Sequence, residues 1–169
     1  MVLFVIAGLL WALMRGLSLR SLLELRFHWP WLLIGAFGTQ LLLWGGAVAF
    51  HASVPPWCFI MSLLAVVVAL WRNAAIPGVW MLALGASLNW FAVTMHGGTM
   101  PVSVQAWEVA GHSLSQLQDS RHSLVQPGGV TLLGDWIPMW RYVLSPGDIV
   151  AGIGVVWLIR RNARLRGVR

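Results

Sequence analysis

Residues 145–165 read SPGDIVAGIGVVWLIRRNARL, and how this stretch folds decides how many apolar helices the chain contains. Its unbroken apolar centre, Ile149 to Ile159, is too short to span a bilayer. The residues before it move the start back. Ser145 is a good N-cap, Pro146 suits the first helical position, and Asp148 stands where an acidic side chain closes a capping box. Counted from Pro146 to Leu165 the segment has 20 residues and reaches about 30 Å at 1.5 Å per residue. Arg160, Arg161 and Arg164 then extend along its last turns toward polar headgroups. The stretch reads as a fifth spanning helix.

The rest of the chain fits that reading. Of 169 residues, 59% are hydrophobic and 9% charged, whereas a soluble domain carries about 25% charged residues. A mean hydropathy of +0.77 agrees. Apolar runs bounded by proline, arginine or polar turns place spans at about 1–17, 31–50, 57–71, 76–95 and 146–165. Pro77 falls in the first turn of the fourth, where its missing N–H costs nothing. No basic residue precedes the run from Met1 to Met14, so it reads as a retained first span rather than a signal peptide. Ser18 to His28, with leucines between Arg20, Glu24 and Arg26, reads as a short interfacial amphipathic helix. The polar segment 97–144 is long for a loop and calls for structure of its own. Within it, 102–110 suits a short helix, 126–129 a turn, and 130–144 a segment that lies in the interface or re-enters the membrane.

Orientation follows from the arginines, which supply all eleven basic residues. Five spans put Arg15, Arg20, Arg26, Arg72, Arg160, Arg161, Arg164, Arg166 and Arg169 on one side and only Arg121 and Arg141 on the other. By the positive-inside rule the N-terminus is outside and the C-terminus cytoplasmic. The expectation is an all-α, five-span protein forming one domain over 1–169 in the bacterial inner membrane, with the lipid bilayer and other membrane subunits as partners. The basic residues form no patch on a soluble face, so nucleic acid is not an expected partner. Cys58 stands alone and excludes an intramolecular disulfide. Tryptophans near span ends, such as Trp29, Trp31, Trp57 and Trp71, suit an aromatic belt.

Few residues point to chemistry. Gln40 and Asn89 fall inside spans, where an unpaired amide is costly, so both should face other helices through hydrogen bonds. Gly35, Gly38, Gly45, Gly46 and Gly85 read as close-packing positions. His96-Gly97-Gly98-Thr99-Met100-Pro101 supplies a left-handed helix stop and then a breaker. His51 and His96 lie at matching ends of neighbouring spans, where they could ligate a haem or a chlorophyll-type pigment. Asp135, Asp148 and His96 can share one site beneath 97–144. His96, His112, His122, Asp119 and Asp135 are metal-ligand types without a metal-binding spacing, so no metal is expected. No phosphate loop, nucleophile elbow or HExxH occurs.

With these residues the chain resembles an uncharacterised bacterial family of small polytopic membrane proteins. The pattern is a Gln and an Asn in successive spans, an Asn-Gly-Gly-x-Met-Pro motif, a late Asp-x-x-x-Pro, and Ser-Pro-Gly-Asp. Here it is carried by Gln40, Asn89, Gly97, Gly98, Met100, Pro101, Asp135, Pro138, Ser145, Pro146, Gly147 and Asp148. His96 departs from it, standing where the family has Asn. The resemblance implies an architecture and supplies no activity.

Three functions follow as expectations. The first is a non-enzymatic accessory or scaffolding subunit of a larger membrane complex. The second is an outer-leaflet enzyme or small-solute carrier using Asp135, Asp148 and His96. The third is a haem- or bacteriochlorophyll-binding subunit working through His51 or His96.

Overall fold

The computed structural model describes residues 2–18, 20–50, 55–113, 122–125 and 132–165. Five longer helices, α1 (Val2–Met14), α3 (Pro30–Phe50), α4 (Pro56–Arg72), α5 (Val79–Met95) and α7 (Pro146–Asn162), are joined by short pieces. These are β1 (Leu17–Ser18), α2 (Arg20–Leu23), β2 (Met100–Ser103), α6 (Val104–Val109), β3 (His122–Val125), β4 (Ile137–Met139), β5 (Tyr142–Leu144) and β6 (Arg164–Leu165). The long helices pack in the order α3, α4, α5, α7, α1, with the most extensive contact between α5 and α7.

That contact depends on glycine. A Cβ on Gly147 would strike the side chain of Asn89, and one on Gly85 would strike the backbone and side chain of α7 at Gly147 and Ala151. Without side chains at these two positions, the helix backbones touch. Gly35, Gly38 and Gly45 differ: nothing lies within 4 Å of where their Cβ atoms would be, so they are not packing positions in this chain.

The five-span architecture is not supported. Among the described residues no helix is long and apolar enough to cross a membrane. α1 and α7 stop earlier than the apolar runs suggest. α1 has 13 residues and ends ahead of Gly16, whose φ is +66°. α4, α5 and α7 have 17 each, about 26 Å against the roughly 30 Å of a hydrocarbon core. α3 has 21, with the polar Thr39 and Gln40 near its middle. The five-span topology, its inside–outside orientation and the multi-pass inner-membrane location fall together. The all-α class is corrected as well, because three two-stranded sheets are present.

Local signals explain where the helices differ from expectation. Gly78, with φ +90°, forms a left-handed N-cap, so α5 starts at Val79 and Pro77 lies outside it. α7 starts at Pro146 as its caps require, but at Ala163 the backbone becomes extended, and β6 then pairs antiparallel with β1. The interfacial helix shrinks to the four residues of α2. The chain after it is held by Asn73, which is 1% exposed. The Asn73 Oδ1 accepts from His28 N at 2.6 Å, and its Nδ2 donates to the carbonyls of His28 at 2.9 Å and Ala69 at 2.7 Å.

Candidate functional site

The segment after α5 folds back over the ends of α4, α5 and α7. α5 stops in a Schellman arrangement: Gly97 and Gly98 have φ of +66° and +99°, and Gly98 N donates to Val93 O at 2.9 Å. Pro101 then sits in β2, which pairs in parallel with β3, Met100 opposite His122. On the other side of β2, Asp135 N donates to Pro101 O and Ser103 N to Asp135 O, both at 2.8 Å. β2 is therefore the central strand that brings His122 and Asp135 together. Ser103 caps α6 by accepting from Ala106 N.

From below, α7 presents Asp148. The capping box is complete: Ser145 Oγ accepts from Asp148 N at 2.9 Å and Ser145 N donates to Asp148 Oδ2 at 3.2 Å. Asn89 on α5 bonds both members, donating Nδ2 to Asp148 Oδ1 at 3.1 Å and accepting from Ser145 Oγ at 2.8 Å. Ser145 is fully buried. Both oxygens of Asp148 thus have donors.

Between roof and floor lies a cavity of about 210 Å³ lined by Phe59, Leu63, Asn89, Val93, Met100, His122, Asp135 and Asp148. Asp135 is 7% exposed. Its Oδ2 lies 3.9 Å from His122 Nε2, and its buried Oδ1 has no hydrogen-bond partner among the described residues. Burial foremost, and then the negative charge of Asp148, push its pKa up from 3.8 to about 7, against a smaller opposing pull from His122. Asp135 changes charge near neutrality. The site can thus supply a proton donor below about pH 7 and a buried anion above it.

The residues singled out from sequence divide clearly. Asn89, Asp135 and Asp148 converge on the cavity. His96 does not join them: it is the C-cap of α5, and its Nδ1 lies 2.8 Å from Ala92 O. Gln40 is on α3, away from the cavity lining. His51 lies outside the described residues, as does Asp119. Among the described residues no group of three or more His, Cys, Asp or Glu is arranged to hold a metal ion. His112 is engaged elsewhere, its Nε2 2.9 Å from Arg141 O and its ring stacked on Trp107 at 4.4 Å. His122 is the site residue that sequence reading underused. The run HSLV does not alternate, so no local pattern marks which face its side chain takes.

A relative from Thermotoga maritima, named only as an uncharacterized protein, is 33% identical over 158 residues, covering 90% of this chain and 84% of its own. No solved structure matches the chain. A family of unknown function, DUF5317, matches residues 24–160, a range holding every residue of the cavity, and the chain belongs to that family.

Proposed function

We propose that this protein binds a small organic cation, an amine with a compact apolar body, in the cavity between Asp135 and Asp148. The observation that carries the reading is the buried Asp135 Oδ1, which has no hydrogen-bond partner among the described residues. A buried carboxylate is costly unless paired. An ammonium group provides both the opposite charge and the missing N–H donors. Phe59, Leu63, Val93 and Met100 offer an apolar wall on which the rest of the molecule rests. The volume of about 210 Å³ is about seven waters' share of liquid, so the ligand is small. His122, whose side chain is 34% exposed, stands where the cavity meets solvent.

Calorimetric titration with a series of primary alkylamines, and with alcohols of the same shape, tests this. Amines bind and alcohols do not, affinity rises with pH up to about 7 as Asp135 loses its proton, and D135N removes binding. Equal affinity for the alcohols, or unchanged binding by D135N, overturns the reading.

A second reading, a non-enzymatic accessory subunit of a larger assembly, is favoured by α3. Its neighbour among the long helices is α4, and Trp31, Ile34, Phe37, Leu41 and Leu42 on one of its faces are exposed, Trp31 to 80%. Apolar area of that extent marks a surface that another protein covers. Native mass spectrometry checks it: co-purifying chains that are lost in W31S/F37S/L41S support it, and a stable, uncomplexed monomer sinks it.

A further inference from the structure

At the opposite end of α7 a second and larger cavity, about 610 Å³, opens between α1, β1 and the last turns of α7. Its walls include Trp11, Ile153, Val156 and Trp157, and its rim carries Arg160 and Arg161. Beneath it the α1–α7 seam is closed by Ala12, Ile159 and Ala163, so the floor is packed. The β1–β6 pairing of Leu17 with Leu165 ties the chain across the same end.

The arginines have an ordinary structural role. Cations in the last turn of a helix complement its dipole. Arg160 Cζ lies 5.3 Å from the centre of the Trp11 ring, Arg15 lies 5.8 Å from the same ring, and Arg161 is 5.9 Å from that of Trp157. Contact with an aromatic face orients a guanidinium but uses none of its five N–H donors. Neither Arg160 nor Arg161 pairs with a carboxylate among the described residues. Two oriented forks, neither paired with a carboxylate among the described residues, line a chamber of mixed polar and apolar walls large enough for a drug-sized molecule.

We infer that this cavity binds an anionic amphiphile, its phosphate head held by Arg160 and Arg161 and its apolar chain laid against Trp11, Ile153, Val156 and Trp157. Phosphate is the better match than carboxylate, because its oxygens serve two guanidinium forks at once. The head group is the shared chemistry of two sources, a free single-chain phosphate and a phospholipid at a surface.

The test titrates the full chain with dodecyl phosphate below its micelle concentration, with dodecyl maltoside, and with inorganic phosphate, followed by calorimetry. Dodecyl phosphate binds at least about tenfold more tightly than either control, since each lacks one of the two contacts. R160Q/R161Q loses about tenfold of that affinity while keeping its circular dichroism and its maltoside affinity. R161Q alone shows a smaller loss if the double variant fails to fold. Sedimentation with vesicles separates the sources: retention on phosphatidylglycerol but not phosphatidylcholine, together with weak monomer binding, assigns the head group to a lipid surface. Equal affinity for maltoside, equal affinity for inorganic phosphate, or an unchanged arginine variant overturns the inference.

Discussion

Asn89 and Asp148 meet across the contact of α5 with α7, the most extensive between the described helices, the amide of one donating to the carboxylate of the other at 3.1 Å. The same Asn89 accepts from the Ser145 hydroxyl at 2.8 Å, so one side chain of α5 holds both members of the cap that starts α7. Replacing it with alanine leaves a buried hydroxyl and a carboxylate oxygen short of partners. N89A destabilises by about 2–3 kcal/mol. Urea denaturation measures this, and because the three groups form one network, N89A and D148A combine less than additively. Strict additivity would show that Asn89 and Asp148 act independently.

Asp135 ties stability to pH. In the fold its proton is held up to about pH 7, whereas its ordinary value is 3.8. Folding therefore takes up a proton between those values. The contribution is complete below the lower value and is lost as pH rises through the upper one. D135N, neutral throughout, has a flatter profile and is more stable than the parent by about 2–4 kcal/mol at pH 8. Melting curves across pH 4 to 8 check it; parallel profiles for the two proteins would refute it.

The glycines make opposite predictions. G147A drives a methyl group into Asn89 and to 2.7 Å from Gly85 O, costing about 3 kcal/mol. G35A meets nothing within 4 Å and gains about 0.5–1 kcal/mol of helix stability. Chemical denaturation of the pair suffices, and a matched loss would contradict the assigned helix contacts.

Asn73 makes three hydrogen bonds while almost wholly buried. N73A strands both backbone groups of His28 and costs about 3 kcal/mol. Hydrogen exchange locates the damage: the His28 amide loses protection, and those of α7 do not.

Helix starts were the most legible part of the fold. Pro30, Pro56 and Ser145-Pro146-Gly147-Asp148 open α3, α4 and α7, because caps and prolines act over a few residues and need no tertiary partner. Helix ends were less legible: the apolar run through Arg164 and Leu165 continues past the true end of α7, where pairing with β1 takes over. Apolarity alone also overstated the length of α1, α5 and α7, and among the described residues no helix is long and apolar enough to cross a membrane. At the site, Asn89 is readable as an amide inside an apolar run, Asp148 as the acid of a helix cap, and Asp135 only through its Asp-x-x-x-Pro setting. His122 was not, since its place depends on a parallel pairing across about twenty residues, which no local pattern encodes. His96 lies off the cavity because it ends α5, with its Nδ1 turned to Ala92 O.

The pairing that carries His122 acts like a detent. Met100 faces His122 only in the present register of β2 and β3. A slip by one place would bring Ser123 alongside and turn every β3 side chain to the other face; a slip by two would bring Leu124. The imidazole opposite Asp135 is thus selected by four rungs of backbone pairing. Exchange rates at amides 122–125 would clock how often the chamber loses its histidine, and affinity for an amine would be metered by the breathing of one short strand.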